Sequence, residues 1–298
     1  MEKENRELHL EEVKGVSLWK DAWRRLVKNK MAVAGGIIVI FFVLVAIFAP
    51  VIAPYSYEEI NFENPQINQP PSWEHLFGTD SLGRDLFSRI IYGSRVSISI
   101  GFVTGIVALL IGVTYGAIAG FVGGKLDEWM MRFADILYSL PYMFFVILLM
   151  VIFGRNFIML FVGIASVSWM TIARITRGQI MSLKNNEFVE AAKSIGASRR
   201  RIIFRHLIPN ALGPIIVYLT LTIPSIMLEE AFLSFLGLGV QAPMTSWGLL
   251  AAEGKGVITT CPWQIIFPGL ALTLMLFSLN FLGEGLRDAL DPSQKNKM

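Results

Sequence analysis

Two adjacent carboxylates, Glu229 and Glu230, stand at the end of an apolar run, and a base–acid pair, Arg84 and Asp85, stands in a polar stretch ahead of another. Ionisable groups beside hydrocarbon need a protein or water neighbour, so the two glutamates point to a cavity or a polar contact. Neither pair comes with a catalytic set. His9, His75 and His206 are dispersed, and no H-E-x-x-H or G-x-S-x-G is present. Gly123-Gly124-Lys125 has the look of a phosphate loop, but Ala119 occupies the first glycine position of that loop and Leu126 follows the lysine, so no Walker A is encoded. What remains is binding and coupling chemistry.

A third constellation runs from Asn185 to Arg201 and reads as helix, glycine break, second helix. Asn186 can cap the first helix, with Glu187 and Glu190 favourably placed near its positive end. Gly196 supplies the permissive backbone at its close, and Ser198 can cap the next helix, which runs toward Pro209, where the chain resets. A short helix bearing Phe188, Ala191 and Ala192 can seat in a groove on another protein. On spacing alone, a solvated loop whose arginines only obey membrane topology fits as well.

The elements that position these groups are membrane spans. Of 298 residues, 54% are hydrophobic and 16% charged, against about 25% charged in soluble domains. Uncharged stretches run Met31–Ala53, Val96–Gly124, Ile136–Gly154, Asn156–Ala173, Leu207–Leu228 and Gly256–Gly283, each meeting or approaching the roughly 20 residues that cross a bilayer. A seventh, Ala231–Ala252, holds Gln241, Pro243, Thr245 and Ser246 and reads as a loop or re-entrant segment. With six spans and the N-terminus inside, the cytoplasmic segments collect 21 of the 26 lysines and arginines; a seventh span would send Arg287, Lys295 and Lys297 outward. The expected organisation is a cytoplasmic segment 1–30, a first span 31–53, an extracytoplasmic segment 54–95, a five-span core 96–285 with a cytoplasmic loop 174–209, and a tail 286–298. The first span is too long for a cleavable signal and should stay as an anchor. Cys261 is the lone cysteine, so no internal disulfide forms.

Residues 1–12 are charged and read as mobile. Leu18, Trp19, Ala22, Trp23, Leu26 and Val27 recur at helical spacing among Lys20, Arg24, Arg25 and Lys28, the pattern of an interfacial helix contacting membrane lipid. The second span carries Gly101, Gly105, Gly112, Gly116, Gly120 and Gly124, most of them four apart, which predicts a close helix contact. Pro141 and Pro224 should bend the third and fifth spans. Arg84, Asp85, Arg89 and Arg95 suit either a binding-protein contact or local ion pairs. Glu229 and Glu230 suit either a substrate pathway, by attracting a peptide's amino terminus, or a structural contact with a partner. The net charge of +3 is explained by topology, and no nucleic-acid partner is inferred.

Glu190-Ala191-Ala192, Gly196 and Pro209 match the EAA signature of permease subunits in ABC importers, with His206 in place of the signature's aliphatic residue. The resemblance narrows to the second, C-type permease of the dipeptide/oligopeptide/nickel branch on four further stretches: Phe77 to Arg95, Arg132 to Pro141, Ala231 to Val240 and Gly285 to Pro292. It implies an all-α integral membrane protein with six transmembrane helices and the type I importer permease fold, working by alternating access in a prokaryotic inner membrane with both termini cytoplasmic. It further implies a homologous partner permease, two ATP-binding subunits and an extracytoplasmic substrate-binding protein. ATP and Mg would be bound by the partner ATPase, with no cofactor in this chain and no catalytic residue. Phe188, Glu190, Ala191, Ala192 and Gly196 would couple to the ATPase, and Pro209 would shape the return to the membrane; Glu229 and Glu230 are candidate pathway residues, and Arg84 and Asp85 candidate binding-protein contacts. Cargo would be a di- or oligopeptide, or alternatively nickel or another small solute. A self-sufficient secondary transporter would need coupling-ion ligands and internal repeats, and a membrane enzyme or sensor a catalytic pair or soluble domain; neither sign is seen.

Overall fold

The computed structural model describes residues 18–60 and 66–290. The expectations for residues 1–17, for the side chains of Leu18 and Trp19, and for Asp291, Pro292, Lys295 and Lys297 lie outside what it describes. Helix α1 (Leu18–Lys28) precedes α2 (Lys30–Ile47), which opens on Asn29, whose Oδ1 accepts from Met31 N at 3.1 Å and Ala32 N at 3.2 Å. A one-turn helix α3 (Ala49–Ile52) follows. Helix α4 (Leu86–Val122) begins ten residues before the expected start of the second span, because Asp85 caps it by accepting from Ser88 N at 2.7 Å.

Gly123 and Gly124, with φ of 69° and 58°, turn the chain into α5 (Gly124–Ser139), and α6 (Tyr142–Phe153) follows at a bend of 78°. The third span is therefore broken rather than merely bent. Leu140, forced out of the helical region by the proline after it, adopts φ −72° and ψ 131°. Gly124 also leaves the expected glycine stripe, since it starts a new helix and a Cβ there would meet nothing.

Asn156 caps α7 (Phe157–Leu183) through Met159 N at 2.9 Å. Helices α8 (Glu187–Ser194) and α9 (Arg199–Arg201) precede a π-helical segment, Ile202–Leu207, which runs without interruption into α10 (Ile208–Phe235). Pro209 does not reset the chain as expected. The wide π turn ahead of it accommodates the missing N–H and the ring, and the helix continues. Pro224 likewise sits inside an unbroken α10. After α10 come a loop, a short α11 (Trp247–Gly254) and α12 (Trp263–Leu290). Among the described residues five helical stretches are long and apolar enough to cross a membrane, and the bent α5–α6 pair adds a sixth if its two halves form one span. Among the described residues there is no β-strand, only an isolated bridge between Thr79 and Asp85.

Helix α4 is the mast of the bundle, and its glycines explain why. Gly101 and Gly105 face Met227 and Ile223 of α10, whereas Gly112, Gly116 and Gly120 face the backbone of Trp169, Ala173 and Arg177 on α7. The four-residue steps match on both helices, so backbone meets backbone over two turns. One stripe thus serves two neighbours, as small residues do where lipid offers no hydrophobic drive between helices.

Candidate functional site

Helix α8 has two faces. Val189 and Ala192 are buried against Ile180, Ile202, Ile203 and Leu207, while Phe188, Glu190, Ala191, Ile195 and Gly196 face outward. Ala192 therefore does not belong to the docking face expected for it; it fastens the helix to its own chain. Ile195, 84% exposed, takes its place beside Phe188 and Ala191 at helical spacing. The signal that could have found it was the spacing of three, four and seven residues itself.

The turn after α8 explains Gly196. Gly196 N donates to Lys193 O and Ala197 N to Ala192 O, both at 3.0 Å, with Gly196 at φ 80°. That is a Schellman closure, which favours glycine at the left-handed position. Ser198 caps α9, its hydroxyl accepting from Arg201 N at 3.3 Å. Asn186 occupies the cap position of α8, but its side chain makes no capping bond, so Glu187 and Glu190 in the first turn supply the favourable charge instead.

At mid-bundle, a cavity of about 320 Å³ is lined by Tyr138, Val167, Ser168, Thr171, Tyr218, Leu221, Thr222, Ser225, Ile226 and Glu229. Tyr218, Thr222, Ser225 and Glu229 climb α10 in steps of four, three and four, a polar stripe on an otherwise apolar helix. Ser168 and Thr171, followed three residues on by Arg174, make its counterpart on α7. Sequence reasoning found Glu229 but missed the hydroxyl ladder, although its helical periodicity was there to be read. Glu229 is half-buried, and no hydrogen bond from a described residue reaches its carboxyl.

Glu230 goes elsewhere. It is fully buried, and its Oε1 accepts from Ser234 Oγ at 2.7 Å and Ser246 Oγ at 2.8 Å. Ser246 Oγ also accepts from Leu249 N at 3.1 Å and so caps α11. The two glutamates, adjacent in sequence, are thus divided: Glu229 lines the cavity, and Glu230 ties α10 to α11 within the chain rather than to a partner.

At the α11 end of the bundle, Arg84 and Asp85 are brought side by side but turned inward. Arg84 Nε donates to Asp80 Oδ2 at 2.7 Å, and the buried Arg89 donates through Nη1 to Asp80 Oδ2 at 2.5 Å and to Glu253 Oε2 at 2.6 Å. Asp85 Oδ1 lies 2.9 Å from His75 Nδ1. These charges brace the 66–85 segment against α4 and α11. Arg95, grouped with them by sequence, is exposed.

Comparison with known proteins gives this arrangement its context. Residues 112–296 match the family described as binding-protein-dependent transport system inner membrane component, and residues 17–71 match the N-terminal TM domain of oligopeptide transport permease C. The oligopeptide transport system permease protein OppC of Haemophilus influenzae is 49% identical over 95% of this chain and 91% of its own length. The dipeptide transport system permease protein DppC of Bacillus subtilis is 44% identical over 98% of this chain and 91% of its own. Among solved structures, an inward-facing MetNI methionine ABC transporter superposes with a TM-score of 0.58 at 19% identity, covering 69% of this chain and 98% of that one, a likeness of fold. The chain belongs to the family of binding-protein-dependent transport system inner membrane components, as a non-catalytic permease of the C type found in peptide ABC importers.

Proposed function

We propose that this chain forms half of the translocation pathway of an ATP-driven importer of di- and oligopeptides, and that α8 receives the stroke of a separate ATP-binding subunit. The observation that carries the reading is the division of α8 into an outward face, Phe188, Ala191 and Ile195, and an inward anchor, Val189 and Ala192. The anchor rests on the π segment, which is continuous with α10, and α10 carries the polar stripe of the cavity. A push on α8 is thereby delivered to the pathway wall through one helix. Peptide as cargo is favoured over nickel by the oligopeptide and dipeptide relatives.

In this reading the α8 end is cytoplasmic, both termini lie on that side, and 21 of the 26 basic residues gather there. The complex would comprise a homologous permease, two ATP-binding subunits that hold ATP and Mg, and an extracytoplasmic binding protein. Glu190 and Gly196 shape the coupling element, Pro209 lies at the entry to α10, and Arg84 and Asp85 hold the shape of the surface that meets the binding protein.

The test is affinity purification of the tagged chain from mild detergent, comparing wild type with Gly196→Pro and with the surface variant Ile195→Asp. The homologous permease should accompany all three, while the ATP-binding subunit and ATPase activity should be lost from both variants. Purification of the chain alone with transport intact would overturn the assignment.

A further inference from the structure

We infer that the Glu229 cavity recognises the protonated amino group of the cargo, so that the permease itself, and not only a binding protein, selects for a positive amine; this rests on the pathway reading above. Two of the hydroxyls that line the cavity, Ser168 and Thr222, are fixed as acceptors. Ser168 Oγ donates to Ile164 O at 2.8 Å and Thr222 Oγ1 donates to Tyr218 O at 2.7 Å. With their protons held by their own helices, both hydroxyls offer only lone pairs to the cavity. The same cavity holds the Glu229 carboxyl, which no described residue engages, and the ring of Tyr218, whose face attracts cations, whereas the Tyr138 ring is already covered by Arg174. An array of acceptors and an aromatic face with one acidic group matches a group that has three N–H donors and a positive charge.

Other ligand classes fit worse. A cargo carboxylate would meet Glu229 with no basic residue lining the cavity to offset it. Among the described residues no group of three or more His, Cys, Asp or Glu is gathered, so a dehydrated metal cation finds too few ligands. The titratable groups facing Glu229 are the phenols of Tyr138 on α5, Tyr142 on α6 and Tyr218 on α10; Arg174 lies over the Tyr138 ring at 4.5 Å and is paired with Asp135. Glu230, next along the helix, is sealed away by Ser234 and Ser246.

The experiment uses the complete importer with its binding protein in proteoliposomes and trialanine, whose only amine is its terminus, as cargo. Uptake per ATP hydrolysed is compared between wild type, Glu229→Gln and Glu229→Asp. At pH 7.5 Glu229→Gln should lower uptake at least fivefold, with Glu229→Asp recovering part of the loss. At pH 9, above the α-amino pKa of about 8, the ratio of wild type to Glu229→Gln should fall toward one, and effects of pH on the binding protein cancel in that ratio. A ratio of one at pH 7.5, or one that stays at five at pH 9, overturns amine recognition. Failure of the pathway reading is separately visible: in a Cys261→Ser background, Ser225→Cys should react with a hydrophilic thiol reagent and be protected by cargo. Labelling and protection with an unchanged Glu229→Gln refute the amine site alone, whereas no labelling refutes both.

Discussion

The glycine stripe of α4 allows a prediction whose size can be worked from the coordinates. In Gly112→Ala the new Cβ would lie 2.7 Å from Trp169 O and 2.8 Å from Ile172 Cβ, and ordinary contact begins near 3.4 Å, so α4 and α7 must separate by about 0.7 Å. Overpacking of that kind costs about 1–3 kcal/mol. Replacing glycine by alanine inside a helix returns about 1 kcal/mol, leaving a net loss of about 1 kcal/mol in mid-range. Gly105→Ala differs, because its Cβ meets Ile223 Cγ1 at 3.1 Å, a side-chain atom that can shift. There the propensity gain prevails, and the variant should match or exceed wild type. Gly116, whose Cβ would strike the Ala173 carbonyl, should be worst.

The assay is thermal unfolding of the purified complex followed by tryptophan fluorescence, where about 1 kcal/mol corresponds to about 2 °C at this chain length. A double variant sharpens the test. Gly112 and Gly120 lie eight residues apart, about 12 Å along the helix, far enough for independent effects to add. If the helices separate as rigid rods, however, one displacement relieves both clashes, since Gly120→Ala also needs about 0.7 Å from Arg177 O. The double variant should then lose less than the two single losses combined. Equal shifts for Gly105→Ala and Gly112→Ala would refute the reasoning, because they would mean that backbone proximity does not set the cost.

Two further outcomes follow from buried polar contacts. Arg89→Ala leaves Asp80 with Arg84 as its one remaining cation and should destabilise the complex by about 1.5–3 kcal/mol, seen as lost yield and a lower Tm. Arg89→Lys should recover little, because a point charge cannot span Asp80 and Glu253 as the guanidinium does. Ser246→Ala removes both a donor to Glu230 and the cap of α11, worth about 1–3 kcal/mol; limited proteolysis should cut the loop 236–246 faster, while Ser168→Ala leaves the pattern unchanged.

What the sequence displayed was mostly local. The cap at Ser198, the glycine at 196 and the proline at 141 each act within a few residues, and the spans follow from runs of apolar residues. The candidate site was legible to the same degree: the helix of the coupling loop and the existence of a cavity-facing glutamate are local or compositional facts. The assignment of faces was not. Whether Ala191 or Ala192 points outward depends on where α8 lies against Ile202, Ile203 and Leu207, and which glutamate is sealed depends on Ser246, 16 residues away. The bond from Arg89 to Glu253 crosses 164 residues, a distance at which a single sequence carries no pairing information. Pro209 misled for a different reason: a π segment can accommodate a proline that an α-helix would not.

The polar contacts also divide the bundle mechanically. At the α11 end, Arg89 and Asp80 side chains are 2% and 4% exposed, and Asp80 is also held by Arg84, so the charges there form a network sealed from water, whose charge-assisted bonds are worth about 1.5–3 kcal/mol each. Toward the α8 end, Arg174 and Asp135 are 38% and 62% exposed, a pair so hydrated that it holds by about 0–1 kcal/mol, while Arg177 and Asp127, 33% and 8% exposed and bonded through both guanidinium and carboxylate, join the same two helices more firmly. The π segment ahead of α10 is an irregular joint at this end, and the break between α5 and α6 is another at mid-bundle, against Ser166, Val167 and Met170 of α7. If α8 receives work, that work meets the Arg177–Asp127 brace nearby and the more deeply buried charge network of the α11 end far away. The α4–α7 contact, held by backbone packing rather than by charge, transmits displacement along its length instead of absorbing it. Opening should accordingly be a splaying of the α8 end about a fixed α11 end. Cross-linking is the direct check: a disulfide joining the 66–85 segment to α11 should leave transport intact, and one joining α5 to α7 near Asp135 and Arg174 should arrest it. Arrest by the first and tolerance of the second would place the moving end on the opposite side.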